Sequence, residues 1–177
     1  MKRIIIGFSR PKGWKAFAES IMLADKLLYH PKNRISHAYT RFESLRWNCS
    51  FIYHSAGHAI NFMGDVHFNS INEVVEEYEL YVSDETEQKI GAMCIAREGL
   101  KYPIIQQIGK GIVALAFLLF KKKIKNPFPS PLDDCMEEQA QLISKALNVE
   151  VNLDLNSLTI EPYRSFIESL PTVKRIK

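Results

Sequence analysis

The stretch "ISHAYTRF" (residues 35–42) alternates side chains with the two-residue period of a β-strand and carries a histidine inside the run. A strand holds a titratable side chain in a fixed position. His37 is therefore either a satisfied, half-buried histidine or a general base on a rigid support. Which of the two applies depends on the polar groups that neighbouring segments bring to it.

A second predicted strand, "NCSFIYHS" (48–55), is rich in aromatic and branched residues. If the two strands form a hairpin, His37 and His54 lie opposite or nearly opposite each other. Opposed residues share a face, with Cβ atoms roughly 5 Å apart. The sequence therefore predicts a hydrogen bond between the two rings. A shift of one residue would separate them, and His58 or Glu43 would then become the orienting group.

The remaining periodicities predict a single α+β domain over residues 1–177, with an antiparallel sheet packed against helices. One strand and one helix come first, then several strands, then helices. Strands are expected over 3–9, 35–42, 48–55, 58–64 and 74–82, and helices between Gly13 and Pro31 and over 83–99, 104–120, 135–147 and 159–171. Ser83 or Asp84 is expected to cap the helix over 83–99.

Composition indicates a folded protein, because 46% of the residues are hydrophobic and 24% are charged. The net charge of +3 is too weak to predict nucleic-acid binding, and no nucleic-acid partner is expected. Basic residues cluster in "KKKIK" (121–125) and "VKRIK" (173–177), which we interpret as a solvated loop and a solvated tail.

The longest apolar run, "GIVALAFLLF" (111–120), is shorter than the roughly 20 residues of a membrane-spanning helix. It predicts a helix buried in the protein, with contact to a membrane surface as the alternative. No transmembrane segment and no signal peptide are expected, which favours a cytoplasmic location. Three sparse cysteines favour a reducing compartment, with Cys49 and Cys94 as core residues.

Cys135 falls in the first turn of a predicted helix, after the Pro-rich segment "KNPFPSPLDD" (125–134). A thiolate there is stabilised by unpaired backbone N–H groups and by the positive end of the helix dipole. The same N–H groups can stabilise an oxyanion. A histidine on a strand that faces this helix would supply the base, as in papain-like enzymes. The alternative is an inert buried cysteine.

Five stretches, in this order, resemble the circularly permuted branch of the NlpC-type papain-like hydrolases. They are "SHAY", "FIYHSAGHAINFMG", "EGLKYPIIQQIG", "NPFPSPLDDCMEEQAQLISKAL" and "TIEPYRSFIESL". Together they span roughly residues 4 to 170. The resemblance implies a permuted papain-like fold, with Cys135 as nucleophile, His37 as base and His54 as the polar third member. It also implies that the Tyr102 hydroxyl assists the oxyanion and that Glu137 keeps the family's acidic position near the substrate.

Two residues depart from the family pattern. Met136 stands where a serine is usual, and Asp134 where an aromatic residue often precedes the cysteine. The implied activity is that of a thiol hydrolase without a cofactor. It would cleave an amide or ester bond in a peptide, cell-wall or lipid-like substrate, and association with a virion is implied if the source is viral.

Two alternatives remain. Four histidines between His37 and His67 suggest zinc, but no HExxH motif is present, and no metal site is expected. The other alternative is a catalytically degenerate papain-like scaffold that acts as a structural or binding protein, since a fold alone does not determine function.

Overall fold

A six-stranded antiparallel sheet in the order β4-β3-β2-β1-β5-β6 forms the centre of the fold. The computed structural model describes residues 1–44, 48–56, 59–101, 104–122, 124–128, 135–150 and 160–177. The strands are β1 (Lys2–Pro11), β2 (His37–Ser44), β3 (Cys49–Ala56), β4 (Ala59–Gly64), β5 (Asn72–Val82) and β6 (Val173–Arg175). The helices are α1 (Ala16–Tyr29), α2 (Asp65–Ile71), α3 (Asp84–Arg97), α4 (Ile104–Phe120), α5 (Cys135–Leu147) and α6 (Ile160–Ser169). The predicted α+β class with an antiparallel sheet is confirmed.

Strand β1 lies in the middle of the sheet because it is apolar on both faces. It pairs with β2 on one side and with β5 on the other. Ile4, Ile6 and Phe8 point into the main core, and Ile5 is buried as well. A continuous apolar run of this kind suits a strand that is covered on both sides.

The main core lies between one face of the sheet and helices α3, α5 and α6. Helix α3 begins as predicted, because the Ser83 side chain accepts a hydrogen bond from the backbone N–H of Thr86. On the opposite face, a smaller cluster of Tyr39, Ile52 and Phe68 is covered by α2.

Close approach inside the sheet requires a glycine at position 7. The ring of Tyr39, which pairs with Gly7 across β1 and β2, occupies the space that a side chain at position 7 would fill. The Tyr39 hydroxyl then donates to Glu77 Oε1 at 2.7 Å. Gly7 thus lets an aromatic ring lie flat over the central strand.

Two short elements differ from the predictions. Helix α2 has seven residues, buries only Phe68 and lacks a side-chain cap, so its sequence gives little helical signal. Strand β6 forms within the tail that was predicted to be solvated; Lys174 and Arg175 are exposed as expected, but the strand was not predicted. Val173 pairs with Leu80 of β5, and Arg175 forms an ion pair with Glu76, a buried carboxylate.

Helix α4 forms over the predicted residues, but the prediction that it is buried in the protein is wrong. Val113 is buried, whereas Leu115, Leu119 and Phe120 are exposed. The helix contacts chiefly α1. None of the helices in the described ranges is long and apolar enough to cross a membrane.

Candidate functional site

His37 and His54 meet on one face of the β2–β3 hairpin. Tyr39 is the register partner of His54, so His37 lies diagonally across from it. His37 Nε2 is 3.0 Å from His54 Nδ1, and the rings are nearly perpendicular, with an interplanar angle of 82°. The predicted contact between the two rings is confirmed. Glu43, the alternative orienting group, instead pairs with Arg3.

An aromatic ring closes the histidine pair from one side. The Phe68 centroid lies 5.5 Å from that of His54, edge to face, and 6.3 Å from that of His37. No sequence pattern predicted this contact, because Phe68 lies on the short helix α2, which was itself not predicted. The ring withdraws both imidazoles from solvent and thereby penalises their charged forms.

Both histidines are held neutral near pH 7. Desolvation, and then the neighbouring His54, lowers the pKa of His37 well below 6.5. Desolvation lowers the pKa of His54 to about 4, and Asn61, its register partner on β4, opposes this shift. A neutral imidazole has one nitrogen with a free lone pair, which is the state a general base needs.

The hydrogen bond between the rings bears on which nitrogen of His37 carries the lone pair that can accept a proton. If His37 Nε2–H donates to His54 Nδ1, the lone pair of His37 lies on Nδ1. Within the described residues, Nδ1 of His37 makes no hydrogen bond. His54 Nε2 is buried and likewise has no hydrogen-bond partner among the described residues. This tautomer leaves His37 ready to accept a proton.

Cys135 is the first residue of α5, as predicted, but its side chain is only 1% exposed. Its Sγ lies 3.0 Å from Sδ of Met136, as a donor in a weak S–H···S contact. It belongs to the main core, together with Ala38 and Tyr163. Burial, and then the neighbouring Cys135, raises the pKa of Tyr163 well above 10.

The structure does not bring Cys135 into contact with His37. Ala38 shares the core of Cys135, and Thr40 donates a hydrogen bond to Gln139 of α5. Because successive side chains of a strand alternate between faces, His37 points to the other side, toward Phe68. Its only hydrogen bond within the described residues is the one to His54.

Glu137 lies inside the protein, where it links two helices. It is 2% exposed, accepts hydrogen bonds at 2.8 Å from Gln106 Nε2, and lies 3.1 Å from Lys110 Nζ, both on α4. This arrangement joins α5 to α4. Tyr102, the expected oxyanion residue, lies outside the described residues, as does His58.

The next two residues of α5 are also polar and buried, which the sequence analysis did not predict. Glu138 accepts a hydrogen bond from the Tyr53 hydroxyl at 2.6 Å and pairs with Arg97 of α3. Gln139 accepts from Thr40. Together they fix the rotation of α5 over strands β2 and β3.

Metal-binding groups do not converge in the part of the chain that the structure describes. No group of three or more His, Cys, Asp or Glu side chains there is arranged to hold an ion. His37 and His54 form a pair rather than the three- or four-ligand set that zinc takes in proteins.

Comparisons with known proteins show a loose structural likeness and no family. No family model matches the sequence, and no curated protein matches it. Among solved structures, the fold is similar to the metalloprotein yiiX from Escherichia coli O157:H7, DUF1105, with 14% sequence identity and a TM-score of 0.47. The likeness covers 99% of this chain and 95% of that chain. It is too loose for any statement about function.

Proposed function

We propose that this protein is a thiol hydrolase that cleaves an amide or ester bond, with His37 as base, His54 as its orienting group and Cys135 as nucleophile. The observation that carries the proposal is the 3.0 Å contact between His37 Nε2 and His54 Nδ1. A neutral imidazole fixed by a second polar group is what a general base requires. The permuted papain-like fold is part of the same proposal.

In the proposed reaction, His37 Nδ1 takes the proton of the Cys135 thiol as the sulfur attacks the substrate carbonyl. The tetrahedral intermediate collapses to a thioester, and the imidazolium returns its proton to the leaving amine or alcohol. Water then attacks the thioester, with His37 accepting the water proton and Cys135 regaining it. The low pKa of His37 disfavours a resting imidazolium. The resting site therefore holds no stable imidazolium to pair with a thiolate, and the proton moves during the attack.

This chemistry requires the Cys135 sulfur to reach His37, a contact that the structure does not contain. The first residue of α5 would have to turn from the main core toward the face of β2 that carries His37. The Michaelis complex can shorten catalytic contacts that are long in the free enzyme. The proposal thus demands a second conformation at the start of α5, which substrate favours and the free protein also visits.

The test is turnover of chromogenic esters and peptide amides by the wild type and three variants. Cys135→Ala and His37→Ala should each lower kcat/KM by at least about a hundredfold, since general-base catalysis contributes roughly 10²–10⁴-fold. His54→Ala should lower it less, because water can partly replace an orienting group. Hydrolysis that survives Cys135→Ala would refute the nucleophile assignment.

A second candidate function is a binding protein that keeps the fold without catalysis. The burial of Cys135 on the opposite face of the sheet from His37 favours it. In that case the histidine pair and the carboxylates of α5 serve stability alone. A protein that hydrolyses no ester or amide, and whose Cys135 stays unreactive in the native state, would support this function.

A further inference from the structure

Helix α4 carries a continuous row of exposed apolar side chains. Its members are spaced three and four residues apart, so they form one stripe along the helix. The row consists of Ile105, Ile108, Ile112, Leu115 and Leu119, which are between 39% and 66% exposed. A contiguous apolar stripe that stays exposed to water is unusual in a protein and marks a surface that binds something else.

The exposed apolar surface extends beyond the end of the helix. Phe120 is 69% exposed, and Ile124 and Phe128 are each 43% exposed. We call the row on α4 together with these three residues the α4 apolar face. These three residues follow the row in the sequence and add to the exposed apolar side chains of this part of the chain.

Charge along this part of the chain has one sign. Between Gly99 and Leu132 the sequence contains six lysines and no aspartate or glutamate. Lys121, Lys122 and Lys125 are exposed, directly beyond the C-terminal end of α4. An apolar stripe therefore adjoins a cluster of cations.

This combination of groups selects an anionic membrane surface over a second copy of the chain. Two copies joined through α4 would have no acidic residue in this region to pair with the lysines of the partner. A bilayer surface offers acyl chains to the stripe and phosphate groups to the lysines. Because α4 is too short to span the bilayer, the helix would lie in the plane of the interface.

We propose that the α4 apolar face and the lysines beyond it bind the surface of membranes that contain anionic lipids. The apolar side chains enter the boundary between headgroups and acyl chains, and Lys121, Lys122 and Lys125 contact the phosphates. The proposal does not depend on the hydrolase activity.

The test is cosedimentation with two kinds of vesicle, phosphatidylcholine alone and phosphatidylcholine with phosphatidylglycerol at 7:3. The wild type should bind the anionic vesicles, and more weakly at high salt. Ile108→Ser/Leu115→Ser should weaken binding about tenfold or more, because two apolar side chains no longer enter the interface. Ile95→Ser, which alters an exposed residue of α3, is the matched control and should bind as the wild type does.

Lysine substitutions test the other half of the proposal. The variant Lys121→Gln/Lys122→Gln/Lys125→Gln should bind anionic vesicles about a hundredfold more weakly relative to phosphatidylcholine vesicles, because each lysine is attracted to an anionic surface. Unchanged thermal unfolding shows that the variants remain folded. Absence of vesicle binding would overturn the proposal, as would binding that ignores lipid charge. If the wild type binds no vesicles but forms a dimer that the Ile108→Ser/Leu115→Ser variant does not form, the α4 apolar face binds a second copy of the chain instead.

Discussion

The imidazole rings of His37 and His54 touch through Nε2 and Nδ1, 3.0 Å apart, at the mouth of the β2–β3 hairpin. Each ring is desolvated beneath Phe68, and each has a pKa below its ordinary value. The pair is therefore neutral near pH 7, which bears on both stability and catalysis.

Stability should fall as the pH drops below about 6.5. The folded-state pKa of each histidine is lower than the unfolded value, so the unfolded chain binds more protons as the pH falls. For His54, whose pKa is about 4, the loss at pH 5 is about 2 kcal/mol. Urea denaturation between pH 7 and pH 5 measures it.

The matched variant for that measurement is His54→Gln, which keeps a polar side chain but removes the titration. Its free energy of unfolding should depend less steeply on pH between 6.5 and 5 than that of the wild type. An identical slope in the two proteins would show that His54 is not held neutral in the folded state.

Replacing Glu137 by alanine should destabilise the fold by about 3 kcal/mol, because Lys110 would remain buried without that carboxylate. The double variant Glu137→Leu/Lys110→Met should recover much of the loss, since it removes both charges from the interior. Thermal and urea unfolding of Glu137→Leu, Lys110→Met and the double variant give the coupling energy. Additive effects of the two single substitutions would contradict the predicted pairing.

Glycines at two positions should respond in opposite directions to alanine. At Gly7 the new Cβ would lie 2.0 Å from Cζ of Tyr39, so Gly7→Ala should cost about 2 kcal/mol or more. At Gly91, inside α3, nothing lies within 4 Å, and Gly91→Ala should stabilise by about 0.5–1 kcal/mol. Equal midpoints of urea unfolding for the two variants would contradict the close contact at Gly7.

Local patterns were sufficient to predict most of the elements and the histidine contact. The apolar run of β1, the two-residue period of β2 and β3, and the cap at Ser83 each act over a few residues. The hairpin also determines the register, and the register places His37 near His54. The short loop between the strands made that pairing predictable.

Contacts between distant segments could not be derived from such patterns. Whether α5 lies over the His37 face or the Thr40 face of β2 depends on the partners of Gln139 and Glu138, which the sequence does not specify. Cys49 was predicted to be a core residue, and this prediction is wrong. It is exposed because it is the first residue of β3, near the end of the hairpin. Helix α2 and strand β6 are too short to have a periodic signal.

Native-state alkylation by iodoacetamide, followed residue by residue with peptide mass spectrometry, tests whether Cys135 is a nucleophile activated by His37. Cys49, which is exposed, and Cys94, which is buried with a raised pKa, are internal references. We expect Cys135 to react faster than Cys94, and His37→Ala to slow the reaction of Cys135 about tenfold or more while Cys49 is unaffected. If Cys135 reacts only as slowly as Cys94 until the protein is unfolded, the thiol is not a nucleophile and the hydrolase proposal fails.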